Sequence, residues 1–429
     1  MMPKKSIEMD KTENITSSQL DKLQELLQYL NKHSKYYQKL FKEKNIAINT
    51  ITSLKDLEKI PFTYKDNLAK HNDDFLCVDK SKVADFVTTS GTLSNPVTFY
   101  LTAKDVDRLA ENEAKALTCA GGSSDDIYQL MTTIDKRFMA GLAYQQGIRK
   151  MGAGIVRTGP GAPYLQWESI QRFAPTVIIA IPSFIPKLID YAIENGIDYK
   201  NTSIKSIICI GEPIRNQDFT PNELGKRILS HWDVQLASTY ASTEMGAAFT
   251  ECKAGMGGHL NPDLLILEVV DENGAAVKNG ALGEVIFTTL GVEGMPLLRY
   301  KTGDLCHVYY DKCTCGSSTP RLGPVLGRKQ QMIKFKGTTI FPPAIFDVLD
   351  MMAEINIYQV EISKNEFGND HITVILSNHL DNKEFHKKIK LLFKSKLRVT
   401  PDLRYIDEDT INQKVFNQEK RKPEKLVYV

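Results

Sequence analysis

The sequence predicts an α/β protein with a large N-terminal domain of mostly parallel sheets covered by helices, a small antiparallel region, and a small α+β C-terminal domain. Three observations predict it. Apolar, β-branched runs alternate with amphipathic helical segments through the first half of the chain. Between 264 and 290 this changes to two alternating runs joined by a polar turn at Asp271-Glu272-Asn273-Gly274. Finally, 429 residues exceed one ordinary domain, and 42% hydrophobic with 25% charged residues is a normal globular balance. The expected division is 1–328 and 329–429, the second part having the size of a small domain.

Leu20, Leu23, Leu26, Leu27 and Leu30 recur at three-and-four spacing, predicting an amphipathic helix over 17–41 capped by Ser17 or Ser18. A second helix start is expected near Thr63, in the phrase Pro61-Phe62-Thr63-Tyr64-Lys65. A hydroxyl-rich turn, Thr88-Thr89-Ser90-Gly91-Thr92-Leu93-Ser94-Asn95-Pro96, then separates two short strand-like runs. Helix Ala103–Cys119 and strands at 127–133, 152–158, 177–181 and 204–210 follow, with a helix at 186–195. Ligands of such sheets sit at the carboxyl ends of the strands. Past Arg328 the pattern reads helix at 343–351, strands at 357–362 and 371–376, helix Lys383–Leu397, and a last strand at 403–406. There is no internal repeat.

Lysine and arginine number 54 against 52 aspartate and glutamate, so no bulk field calls for nucleic acid or a membrane surface. The polar N-terminus lacks an apolar targeting segment, and no apolar run reaches membrane-spanning length, so a cytoplasmic location is expected. Seven unevenly spaced cysteines argue against a disulfide framework, leaving metal ligands or free thiols.

The hydroxyl-rich turn can wrap phosphate oxygens with side-chain hydroxyls and backbone N–H groups, or be an ordinary Ser/Thr/Gly turn. Three later stretches bear on that choice: Tyr240-Ala241-Ser242-Thr243-Glu244, Arg299-Tyr300-Lys301-Thr302-Gly303-Asp304, and Gly327-Arg328 leading to Lys334-Phe335-Lys336-Gly337. In this order the four resemble the core motifs of the acyl-adenylate-forming superfamily, most of all its phenylacetate-CoA ligase branch. The resemblance runs from about Ile60 to the C-terminus.

It implies an ATP-dependent carboxylate-CoA ligase that activates an aryl or arylacetic-type acid as acyl-AMP and passes it to coenzyme A. Thr89, Ser90, Gly91 and Thr92 would close on the β- and γ-phosphates, although family loops continue Thr-Gly-Lys-Pro and this one has Leu93, Ser94 and Asn95 before Pro96. Thr243 would meet the α-phosphate and Glu244 the Mg²⁺, which favours few protein ligands beside phosphate oxygens. The rival for this pair is a helix N-cap with a charged first turn. Tyr240 would lie against adenine, with Ala241 and Ser242 in the same element and Gly211-Glu212-Pro213 as the adenine-facing turn. Asp304 would accept the ribose hydroxyls, supported by Arg328. Phe138, Tyr144 and Ala237 are implied for the acyl pocket. Lys422 matches the adenylation lysine, with Lys420 and Lys425 as rivals and a solvated basic tail as the plain alternative. The domain pivot falls at Gln330.

Independently, Cys252, His259, Cys313 and Cys315 have the donor types of a closed structural Zn²⁺ site, with Cys306 and His307 as substitute ligands and four unrelated residues as the alternative. Some members of the branch carry zinc here. An acyl carrier protein is the competing acceptor, a degenerate binder without turnover the competing class, and a homodimer is left open.

Overall fold

The computed structural model describes residues 5–89, 97–335, 338–364, 370–416 and 423–429, with side chains described from residue 15 onward. Five parallel strands form half of the main sheet, in the order Gly154–Arg157, Ile127–Leu130, Val177–Ala180, Ser206–Ile210 and Gln235–Ser242. Alternate side chains of one strand enter opposite cores, as a two-residue repeat requires. Ile178 and Ala180 pack with Trp167 and Trp232, whereas Val177 and Ile179 pack with Tyr144 and Ala237. Both faces are covered, which is why Val177–Ala180 reads as an unbroken apolar run.

The chain then reverses. Gln235–Ser242 pairs antiparallel with Ala247–Glu251, and the sheet continues through Gly258–His259, Arg321–Leu322, Tyr300–Tyr309, Leu282–Thr289 and Leu265–Val270, all antiparallel. The expected antiparallel region is therefore present, continuous with the parallel half. The hairpin Val83–Thr88 with Thr98–Thr102 forms a separate two-stranded sheet.

From Ile333 onward the residues enclose an apolar core of their own. Helices Pro342–Asp350 and Lys383–Leu397 accompany a four-stranded sheet ordered Asp402–Ile406, Asp370–Ser377, Gln359–Lys364 and Leu426–Tyr428. Polar contacts join this unit to the large one. Asp347 Oδ1 accepts from the Glu223 amide at 3.2 Å, Lys187 Nζ donates to Asn412 Oδ1 at 2.8 Å, and Lys425 pairs with Glu212 at 3.8 Å.

Several expectations need correction. The first helix is two, Lys5–His33 and Lys35–Glu43, so Ser17 and Ser18 lie inside it and are not caps. The break falls at Ser34, whose hydroxyl accepts from the Tyr37 amide and caps the second helix. Thr63 is not a cap either. It is buried and pairs with Tyr300, and the short helix Lys65–Lys70 starts after Tyr64. The strand at 403–406 is not the last, since Leu426–Tyr428 joins Gln359–Lys364 in parallel, and helix Glu408–Val415 precedes it. Among the described residues no helix is long and apolar enough to cross a membrane.

Candidate active site

Strand Tyr300–Tyr309 organises the site, because its side chains meet the hairpin that ends the parallel half of the sheet. Tyr240 donates its hydroxyl to Asp304 Oδ2 at 2.8 Å, and Arg328 Nε donates to Oδ1 at 2.8 Å. Arg328 is in place because Gly327–Arg328 pairs with the strand, setting Arg328 opposite Asp304. The charge of Asp304 raises the Arg328 pKa, while burial first and Asp304 second push the Tyr240 phenol well up. The result is a buried carboxylate held by two donors, each oxygen keeping a lone pair for a further hydroxyl.

Glu244 lies in the four-residue loop 243–246 of the Gln235–Ser242/Ala247–Glu251 hairpin, whose last pair is Ser242 with Ala247. Gly246 permits the tight return with φ of +54°. Arg108 ties the loop down. Its buried guanidinium donates to the carbonyls of Gly246 at 2.6 Å and of Leu264 and Leu290 at 2.7 Å each. Tyr300 donates to Glu244 Oε1 at 3.4 Å. A strand follows Glu244, so the helix N-cap alternative for Thr243-Glu244 is wrong. Ser242, Glu244, Asp304 and Arg328 face one cleft of about 420 Å³, together with Lys65, Glu284, Lys301 and Lys329. A polar cleft with a ribose-competent carboxylate, a second carboxylate near it and four cations can take a nucleotide with its metal.

Residues 13–293 match the family of AMP-binding enzymes. The chain belongs to that family. Among curated relatives, the phenylacetate-coenzyme A ligase of Thermus thermophilus is 29% identical over 360 residues, spanning 83% of this chain and 79% of that one. That of Aromatoleum evansii is 28% identical over 349 residues, 80% and 77% of the two chains. Among solved structures, a 2-hydroxyisobutyryl-CoA ligase in its postadenylation state superimposes with a TM-score of 0.84 at 21% identity, covering 96% of this chain and 89% of that one. The same ligase in its thioesterification state gives 0.70, covering 100% and 90%.

The remaining sequence-derived positions of this AMP-binding enzyme divide as follows. Gly211, Glu212 and Pro213 follow strand Ser206–Ile210, with Glu212 accepting from the Ser183 amide at 3.0 Å and its hydroxyl at 3.1 Å. Ala241 is exposed in the hairpin strand that carries Tyr240 and Ser242. Thr89 is buried, and its hydroxyl accepts from the Val97 amide at 3.0 Å, closing the neck of the hydroxyl-rich turn. Ser90, Gly91 and Thr92 lie outside the described residues, as does Lys422. Phe138 is half-buried at the cap of helix Met139–Met151, while Tyr144 and Ala237 share a deeper apolar cluster. Lys425, the rival lysine, is engaged with Glu212 and with the Tyr358 hydroxyl at 3.4 Å.

The sulfur and nitrogen atoms of Cys252, His259, Cys313 and Cys315 come together, all within 4.8 Å of one another. Cys252 Sγ is 3.7 Å from Cys313 Sγ, and Cys315 Sγ is 3.6 Å from His259 Nε2. The sheet does this: Cys252 ends Ala247–Glu251, His259 pairs with Arg321, and the cysteine turn follows Tyr300–Tyr309. Thr319 Oγ1 lies 3.0 Å from His259 Nδ1, leaving Nε2 turned inward. Burial first and the charge of Arg321 second hold His259 down to about 4, so the ring is neutral. Cys306 and His307 are not substitute ligands. Cys306 is buried beside Asp304, and His307 Nδ1 contacts the Gly280 carbonyl at 2.9 Å. All seven cysteines are free thiols.

Sequence reasoning missed Arg108 altogether, and quoted Lys65, Glu284, Tyr300 and Lys301 within longer stretches without giving them roles. Arg108 left one signal, an arginine amid the apolar spacing of helix Ala103–Cys119. For Lys65 the signal was its place two residues after Thr63.

Proposed function

We propose that this AMP-binding enzyme is an ATP-dependent acid–thiol ligase acting on an arylacetic-type carboxylic acid with coenzyme A. The observation that carries the reading is the convergence of Tyr240 and Arg328 on Asp304, with Glu244 joined through Tyr300 to the same strand across one cleft. In the first half-reaction a carboxylate oxygen of the acid attacks the α-phosphorus and pyrophosphate leaves. In the second the CoA sulfur attacks the acyl carbon and AMP leaves with the bonding pair.

Asp304 holds the ribose hydroxyls, and Arg328 keeps that carboxylate aimed. The Gly211–Pro213 turn and the Tyr240 ring border adenine. Thr243 donates to the α-phosphate. Glu244 would hold Mg²⁺, which when bound offsets phosphate charge. Thr89, Ser90, Gly91 and Thr92 cover the phosphates, and Lys422 steadies charge developing on the transferring group. Phe138 flanks the acyl group, with Tyr144 and Ala237 behind it.

We further assign Cys252, His259, Cys313 and Cys315 to one structural Zn²⁺. Tetrahedral geometry with Zn–S of about 2.3 Å and Zn–N of about 2.05 Å separates two sulfurs by about 3.8 Å and sulfur from nitrogen by about 3.6 Å. The observed 3.7 and 3.6 Å match those two separations. Thr319 supplies the outer contact that orients a metal-bound imidazole. Seven cysteines with no disulfide among them suit a reducing compartment, which we take to be the cytosol.

The small unit begins after Arg328 and turns about Gln330. The higher TM-score with the postadenylation state supports a pose close to that one. The test is pyrophosphate exchange across a panel of carboxylic acids, followed by CoA or a carrier protein as acceptor. Exchange with arylacetic acids and thioester formed on CoA is expected. Exchange with none of the acids refutes the reading.

A further inference from the structure

We propose that Lys65 binds the β- and γ-phosphates of ATP, supplying the cation that the hydroxyl-rich turn lacks. The inference rests on the nucleotide reading of the cleft. The turn 88–96 contains no lysine or arginine, so it offers hydroxyls and amides but no formal charge to a triphosphate. Other segments must supply that charge.

The cations of the cleft are not equivalent. Arg328 is committed to Asp304 at 2.8 Å. Lys301 lies 3.4 Å from Glu284 Oε2 and 4.8 Å from the Phe62 ring centre, and only 14% of its side chain is exposed. Lys329 shares the same Glu284 oxygen at 3.7 Å. That leaves Lys65. It is half-buried on the cleft wall, and among the described residues its ammonium has no acid partner.

Its position is built rather than incidental. The Thr63 amide donates to the Arg299 carbonyl at 3.0 Å, and the Lys301 amide donates to the Thr63 carbonyl at 2.8 Å. The Thr63 hydroxyl adds a bond to the Leu298 carbonyl at 2.7 Å and meets Tyr37 Oη at 3.0 Å. Thr63 therefore sits beside Tyr300, whose hydroxyl reaches Glu244, and Lys65 follows two residues later on the wall of the cleft that Glu244 lines. An ammonium on a wall shared with the metal-facing carboxylate is placed for the phosphates beyond the α-position. Asp304 lines the same cleft and takes the ribose.

The test compares two nucleotides that differ only in those phosphates. Equilibrium binding of MgATP and of AMP is measured with the full chain as wild type, Lys65→Ala, Lys65→Gln and Lys65→Arg. Loss of one charge-assisted contact should weaken MgATP about ten- to a hundredfold in the Ala and Gln variants. AMP affinity should not change, and Lys65→Arg should restore most of the MgATP affinity. Lys65→Gln keeps most of the side-chain bulk without the charge, so it gives the answer if Lys65→Ala folds poorly. Equal weakening of AMP and MgATP would mean that Lys65 only supports the wall, and unchanged MgATP binding would mean that it touches no phosphate. Either result overturns the proposal. A wild type that binds neither nucleotide refutes instead the nucleotide reading of the cleft.

Discussion

Glu113 offers a test of the core that is independent of turnover. It lies on helix Ala103–Cys119, where its Cβ would stand only 2.3 Å from a Cβ built on Gly147, so the two helices touch through a glycine. Asn112 Nδ2 donates to Oε1 at 3.2 Å, while Oε2 is buried with no hydrogen-bond partner. Burial lifts the carboxyl from 4.5 to about 7, with Asn112 opposing weakly. At about 1.4 kcal/mol per pKa unit, the ionised native side chain costs about 3 kcal/mol. Below the unfolded pKa both states hold the proton and the cost vanishes. Between there and about 7 the unfolded chain loses its proton first, so stability falls as pH rises, and above about 7 it levels off.

Glu113→Gln removes that titration. The amide brings its own pH-independent cost for buried N–H groups. Comparing the wild type–variant difference at two pH values cancels it. The variant should gain about 2 to 3 kcal/mol relative to wild type between pH 5 and pH 8. Urea titration followed by tryptophan fluorescence reads this well, because both tryptophans, Trp167 and Trp232, are buried in the parallel half of the sheet. A difference that stays constant across the two pH values would mean that Glu113 is charged and compensated in the native state, refuting the argument.

Glu244→Ala should abolish pyrophosphate exchange while leaving the urea midpoint near wild type, since it empties a cleft position rather than a core one; retained exchange would remove Glu244 from the metal role. Protein purified without added metal should carry about one zinc per chain, and Cys313→Ser should lower both zinc content and melting temperature, because metal binding adds to folding free energy. Neither change would leave four neighbouring residues without a metal. Lys422→Ala should cut acyl-adenylate formation by orders of magnitude yet still convert preformed acyl adenylate to thioester. Gln330→Pro, which stiffens the joint, should show the reverse, with thioester formation slowed. Equal loss of both half-reactions in both variants would refute a two-pose cycle.

What was legible in the sequence was what is local. A two-residue repeat is visible within one strand, so Val177–Ala180 and Ser206–Ile210 stood out, and leucine spacing marked the buried stripe that includes Leu23, Leu26, Leu27 and Leu30. Motif order singled out Asp304, Glu244 and Arg328, since donor type and neighbouring residues travel with the chain. Boundaries were less legible. Ser17 and Ser18 have cap chemistry, but the helix runs through them because nothing there competes for the backbone, whereas Ser34 does interrupt it by bonding the Tyr37 amide.

Tertiary structure decided what depends on pairing remote segments. Cys252 and Cys313 are 61 positions apart, and only the run of antiparallel strands between them sets their sulfurs 3.7 Å apart. Leu426–Tyr428 is a three-residue strand that only Gln359–Lys364 gives a reason to exist. Lys65 looks like any surface lysine until Thr63 is stitched to Arg299 and Lys301, which puts it on the wall of the cleft that Glu244 lines. Periodicity and residue chemistry are properties of neighbours in sequence. Which carboxylate an ammonium is denied, and which thiol a thiol meets, depends on sheet order, and no single segment encodes that.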